Sequence, residues 1–357
     1  MRRTRMISAA VALGISLGAA VAAVPSAHAQ TVKISPSTVS ASGAKPVVGV
    51  NLYVDQNYPL AAVKAWGWRD LKYIAYTLKL KAVAIDWDYN VPSAGSDVVR
   101  SSPTRTPRIA DLMALTKIAK YLGLRVEYRA LFAIDNVDDR SSSIAPKNLG
   151  RWLNSLLSTE TPALKLAERE AVPEFVVGTE MASIDQSPLW ADFFSRAAKV
   201  YVGALSYASW GGQSGTSGFF GSHRVVLPVY HLGASAYPPI ALPDNASVAS
   251  LTTAWKNFLT AHTPASVLSR TTIDELGIPA LAGSYSDPWQ WHNLTGTADP
   301  TIQAHWFTAA CDAVAAEHMR GIYFWSMNLN DDPAHPFSSL VSFEGRPASV
   351  AAIRSCA

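Results

Sequence analysis

Eight apolar runs of strand length, alternating with longer amphipathic stretches, predict an α/β protein built as a single-domain (β/α)8 TIM barrel. Two further observations support it. Charged residues make up only 16% of the chain and hydrophobic ones 49%, which fits a sheet buried on both faces. At 357 residues the chain has the length of one barrel rather than of a row of small domains.

The elements follow in order. Met1-Arg2-Arg3-Thr4-Arg5, an apolar stretch from Met6 to Val24 and Ala27-His28-Ala29 have the layout of a secretory signal peptide over residues 1–29, cleaved before Gln30. The expected product is exported, with no membrane contact after cleavage. Residues 30–45, rich in Ser, Thr, Ala and Gly, read as a flexible lead-in to a barrel over residues 46–357. Candidate strands cover 47–52, 82–86, 125–131, 174–178, 202–207, part of 225–236, 270–274 and 321–325. Helix-like segments lie near 61–79, 108–122, 147–168, 187–200, 247–262 and 302–319. The weakest stretch is 211–222, which reads as loop between the fifth and sixth strands. Trp66, Trp68, Trp152, Trp190, Trp255 and Trp306 fall in or beside helical segments, where packing in the outer ring explains them.

Charge narrows the partners. The 30 basic residues, less Arg2, Arg3 and Arg5 of the leader, balance the 27 acidic ones, so the exported chain has no electrostatic footprint for nucleic acid or an anionic membrane. An uncharged partner and a monomer are expected. Cys311 and Cys356 are the only cysteines; in an oxidising compartment they can tie the C-terminal tail to the body.

Two short apolar runs each close on a glutamate: Glu174-Phe-Val-Val-Gly-Thr-Glu180, and Thr271-Thr-Ile-Asp-Glu275. Strand C-termini are where such a barrel builds its site. Two carboxylates there supply the acid/base and the nucleophile that glycosidic hydrolysis needs. Aromatic side chains at strand ends offer flat apolar platforms to sugar rings, which makes Trp210, Tyr237, Trp289 and Trp325 candidates for substrate contact. Asn51, Tyr53, Asp86 and Trp87, at the ends of the first two strands, are candidate hydrogen-bonding neighbours. Long loops at 91–107, 136–147, 211–222 and 284–300 wall the same mouth, carrying Phe219, Phe220, Tyr285, Trp289 and Trp291.

Other chemistries find no support. Gly14-Ile-Ser16-Leu-Gly18 has the form of a nucleophile elbow but lies in the leader. The histidines, among them His223, His231, His292 and His335, have no metal-site spacing, and no glycine-rich dinucleotide fingerprint occurs, so no cofactor and no metal are expected. Asn330-Asp331-Asp332 has calcium-ligand residue types, for which a solvated loop is the commoner explanation.

Beyond these local signals, the stretches Val177-Gly178-Thr179-Glu180-Met181, Leu205-Ser-Tyr-Ala-Ser-Trp210, Leu232-Gly-Ala-Ser-Ala-Tyr237-Pro238 and Ile273-Asp-Glu275-Leu-Gly-Ile-Pro279 with Asp287-Pro-Trp289 resemble glycoside hydrolase family 113, the β-mannanase family. The resemblance spans roughly residues 47–330, and Tyr323-Phe-Trp325 fits its eighth-strand aromatic. It implies Glu180 as acid/base, Glu275 as nucleophile and a neutral polysaccharide, most simply β-mannan, as substrate. Most of the wider clan has Asn before the acid/base, where it holds the sugar 2-hydroxyl; this chain has Thr179. Asp274 precedes the nucleophile, and regular strand alternation sets the two side chains on opposite faces. Rival readings are the same machinery on an arabinan or galactan, a barrel that binds carbohydrate without turnover, or an exported structural barrel.

Overall fold

The structure, a computed structural model, describes residues 45–135, 141–211, 231–261, 263–290, 294–335 and 340–357. The leader, most of the lead-in, Phe219, Phe220, His223, Trp291 and His292 lie outside the described residues.

Eight parallel strands close into a barrel in chain order: β1 (Val47–Val54), β2 (Ala82–Val91), β3 (Arg125–Ile134), β4 (Glu174–Thr179), β5 (Ala204–Trp210), β6 (Leu232–Ser235), β7 (Thr271–Leu276) and β8 (Gly321–Asn328). Each run read as a strand in the sequence overlaps one of them. β5 begins two residues later than its run and ends on Trp210. Helices α1 (Leu60–Lys72), α2 (Ile109–Tyr121), α3 (Leu149–Arg169), α4 (Trp190–Ala197), α5 (Val248–Thr260), α6 (Ala265–Leu268), α7 (Pro300–Ala316) and α8 (Pro347–Cys356) accompany the sheet. Three of them start on side-chain caps: Asn148 accepts from Arg151 N, Ser247 from Ser250 N and Asp299 from Thr301 N. Each cap satisfies a backbone N–H that the first turn leaves unpaired.

α8 has no counterpart in the sequence reading. Its short run has no side-chain cap, and a disulfide between Cys311 of α7 and Cys356 fastens it to the body.

The barrel has two cores of different chemistry. Outward-facing strand residues such as Val50, Leu52, Ile85, Phe175, Val177, Ile273 and Phe324 pack with the helices into one apolar shell. Trp152, Trp190, Trp255 and Trp306 are fully buried in that shell, as their helical positions predict. The inner cluster is small: Ala82, Ala84 and Tyr323, with Val47 beside them. Most of the remaining interior is polar. Asn51, Asp86, Glu127, Arg129, Glu174 and Asp274 are all buried.

At the lower end of the barrel Arg320 grips Glu174 with two nitrogens, 2.9 and 2.6 Å from its two oxygens, and Arg125 adds a third bond at 3.0 Å. Burial alone raises the Glu174 pKa, but the guanidiniums outweigh it and hold this carboxylate below its ordinary range.

Candidate active site

The upper, C-terminal ends of the strands gather the polar side chains. Glu275, near the end of β7, is 8% exposed and engaged through both carboxylate oxygens. Arg129 Nη2, from β3, donates to Oε2 at 2.6 Å, and the Tyr237 hydroxyl, just past β6, donates to Oε1 at 2.6 Å. Two charge-assisted bonds from different strands fix the carboxylate plane and leave it facing the mouth.

Arg129 is held in turn. Its Nε stands 3.3 Å from Asp86 Oδ2, and its Nη1 donates to the Asp274 carbonyl at 2.6 Å. Asn51 Nδ2 bridges the same two acceptors, Asp86 Oδ2 at 2.9 Å and the Asp274 carbonyl at 3.1 Å. Burial opposes the charge on Arg129, yet Asp86, Glu275 and Asp274 more than compensate and hold the guanidinium protonated. Burial pushes Asp86 up to about 7, against the pull of Arg129.

Glu180 follows the last residue of β4. Its backbone is left-handed, with φ of 57°, and its N–H donates to the Ala208 carbonyl of β5 at 2.8 Å. A non-glycine residue in that conformation is strained, and strain of this kind collects at functional sites. The half-buried side chain shares its surroundings with the nucleophile candidate. Burial raises the Tyr237 hydroxyl pKa well above its usual range, and the charges of Glu275 and Glu180 both add to it.

The aromatic residues divide. Trp325, half-buried within β8, three residues before its end, lies over the Arg129 guanidinium at 5.2 Å and beside Tyr53 at 5.6 Å. Trp210 stacks on Tyr237, with centroids 6.2 Å apart and planes 25° from parallel. Trp289 is half-buried on the segment between β7 and α7. Trp87 is a correction: fully buried, it packs edge-on against Tyr89, Tyr128 and Phe175 in the outer shell. Alternation along β2 turns Asp86 inward and Trp87 outward.

Three further residues expected at the substrate sit deeper. Asn51 and Asp86 are fully buried and spend their contacts on each other, on the Asp274 carbonyl and on Arg129. Thr179 is 2% exposed and spends its hydroxyl on the Ala130 carbonyl at 3.0 Å, so it braces β4 against β3. Tyr53 stays at the rim, donating to Asp88 at 2.5 Å.

Arg129 was absent from the sequence-derived site although its signal was present: a lone arginine inside an apolar strand needs a buried acceptor. Regular alternation also failed at β7, where Asp274 and Glu275 both turn inward. β7 carries an extra residue relative to β8, since Ile273 pairs with Ile322 and Leu276 with Phe324, and both flanking residues face the outer shell. Among the described residues, no group of three or more His, Cys, Asp or Glu could hold a metal ion. Asp331 and Asp332 instead organise their own loop, accepting from Asn328 Nδ2 and from Ala334 N.

A closed parallel barrel with one glutamate just past its fourth strand and another on its seventh, the latter clamped by arginine and tyrosine, has the build of a glycoside hydrolase. The comparisons agree. The model of Glycoside Hydrolase Family 113 matches residues 67–336. A GH113 β-mannanase from Alicyclobacillus acidocaldarius, solved in complex with ManMIm, superposes with a TM-score of 0.70 at 18% identity, covering 89% of this chain and 99% of that one. A second GH113 structure, a β-1,4-mannanase complex, gives 0.68 at 17% identity over 88% and 99% of the two chains. An endo-β-1,4-mannanase from Thermotoga petrophila gives 0.55 at 13% identity over 88% and 77%. No curated protein sequence matches. The chain belongs to Glycoside Hydrolase Family 113, and it is a glycoside hydrolase acting on O-glycosyl bonds.

Proposed function

We propose that the protein is an exported, monomeric β-mannanase that works by retaining double displacement. The observation that carries this reading is the clamp on Glu275. A nucleophile must attack along a fixed line, and Arg129, from β3 across the barrel, and Tyr237, from the end of the neighbouring β6, orient its two oxygens. Glu275 attacks the anomeric carbon to form the glycosyl-enzyme. Glu180 protonates the departing glycosidic oxygen, then takes the proton of the water that releases the product. Trp325 offers the platform beside the reacting sugar. Trp210, at the end of β5 beside Glu180, and Tyr237, just past β6, line the side where the leaving sugar sits. Export rests on the leader sequence of residues 1–29.

Mannan is favoured by family membership and by the structural neighbours, a β-mannanase and a β-1,4-mannanase. The test is release of reducing ends from β-mannan and manno-oligosaccharides, with Glu275→Gln and Glu180→Gln beside the wild type. The anomer of the first product is read by proton NMR. Turnover abolished by Glu275→Gln, with the β-anomer formed first, is the expected result. An α-anomer would replace retention by inversion, and an inactive wild type would remove mannan.

A further inference from the structure

The extra residue in β7 has a use that rests on the reading of Glu275 as nucleophile. Against β6, Ala234 pairs with Ile273 and Ser235 with Glu275, so Asp274 is the residue that the ladder skips. Its side chain folds into the barrel over Gly233. A Cβ on residue 233 would stand 1.8 Å from Asp274 Oδ2, a distance no structure tolerates, so the carboxyl occupies the space that glycine leaves open. With the residue turned in this way, its carbonyl points at Asn51 Nδ2 and Arg129 Nη1. The same guanidinium then has its Nη2 on Glu275. One planar fork thus reads two consecutive residues, the carbonyl of 274 and the carboxylate of 275.

We propose that Asp274 and Gly233 are positioning residues for the nucleophile: the carboxyl seated over glycine holds the β7 bulge, the bulge aims the 274 carbonyl at Arg129, and Arg129 thereby holds Glu275 in its attacking orientation. The seat is polar and crowded. Glu127 and Arg129 face it from β3, Asp86 from β2 and Glu174 from β4, while Arg320 approaches from the start of β8. Burial raises both Asp274 and Glu127 well above the ordinary carboxylate range, with Arg129 and Arg320 pulling Asp274 the other way. Asparagine matches the shape of the Asp274 carboxyl and keeps one acceptor oxygen, but carries no charge. Asparagine and alanine at position 274 therefore separate shape from charge.

The experiment compares wild type with Asp274→Asn, Asp274→Ala and Gly233→Ala on β-mannan, with thermal melts to establish folding and crystal structures of the wild type and both Asp274 variants. Asp274→Asn is expected to keep kcat within about threefold. Asp274→Ala and Gly233→Ala are expected to lower kcat by about 10- to 100-fold, the range of one lost hydrogen bond to a charged group, with KM within about twofold. In the Asp274→Ala crystals Arg129 should leave hydrogen-bond reach of Glu275. Should Asp274→Ala fail to fold, Asp274→Ser carries the same expectation. Unchanged kcat, equal losses in the Asn and Ala variants, or Arg129 still seated on Glu275 after truncation would each overturn the proposal. If the wild type releases no reducing ends, the mannanase reading fails by itself, and the position of Arg129 in the crystals still decides this one.

Discussion

Tyr237→Phe is the most direct probe of the clamp. The hydroxyl donates to Glu275 Oε1 at 2.6 Å, and the two residues are 2% and 8% exposed, so water does not readily replace the bond. A hydrogen bond to an ionised group contributes about 1.5–3 kcal/mol net. With that bond orienting the proposed nucleophile, the loss corresponds to roughly 10- to 150-fold in kcat/KM. The ring itself remains, so its stacking on Trp210 at 6.2 Å survives and KM should move little. Arg129 still holds the other oxygen, which separates this variant from a full loss of the Glu275 carboxylate. Initial-rate kinetics on manno-oligosaccharides, with a melting curve to establish folding, measure the effect. A kcat/KM within threefold of wild type, or a loss confined to KM, would refute the argument that the hydroxyl positions the carboxylate.

Three other outcomes follow from the same structure. Arg129→Lys should lower kcat by on the order of 100-fold or more, because a single ammonium cannot serve Asp86, the 274 carbonyl and Glu275 together; near-normal kinetics would contradict the fork geometry. Replacing Cys311 and Cys356 by Ser opens a loop with a sequence separation of 45 residues, worth about 4 kcal/mol by chain entropy, so the melting temperature should fall by on the order of 10 °C while the activity of the folded enzyme at 25 °C is retained. Glu344 is pushed by burial from 4.5 to about 7, so the folded state binds its proton more tightly than the unfolded chain does. The stability from that proton is complete below about pH 4.5 and is lost as pH rises through about 7. Denaturant titrations should therefore show Glu344→Gln gaining on wild type from about pH 4.5 to just above 7, by up to roughly 3 kcal/mol, and level beyond that; a gap independent of pH would refute the assignment.

The barrel was legible because its strands are buried on both faces and rich in apolar residues, its helices amphipathic, and each glutamate closing a run marked a strand end. The same two-faced burial hid which residues look inward. β2 is buried along its whole length, so its sequence does not distinguish Asp86, facing Arg129, from Trp87, facing the helices. Alternation also presumes a regular pleat. At β7 one inserted residue reversed the expected geometry of Asp274, and the glycine that permits it lies on another strand, 41 positions earlier in the chain. Thr179 stood where an asparagine was the expected sugar contact. Only coordinates show its hydroxyl turned to the Ala130 carbonyl. Tyr237 was legible as an aromatic near the site but not as a donor, since that role depends on where β7 delivers Glu275.

The two cores set different rules for anyone altering this enzyme. In the outer shell a substitution that keeps volume and apolarity costs little, because the contacts are many and undirected. Inside the barrel each group is the counterpart of another: Asn51 serves Asp86, Asp86 serves Arg129, and Arg129 serves Glu275. Removing one member strands the next in a medium of low dielectric. Libraries meant to stabilise the fold belong on the helix-facing side, whereas changes of specificity have to be made at the rim, around Tyr53, Trp210 and Trp325. Single interior substitutions that remove a partner, unlike a near-isosteric one such as Asp274→Asn, will read as loss of activity, and productive routes through the interior require coordinated pairs.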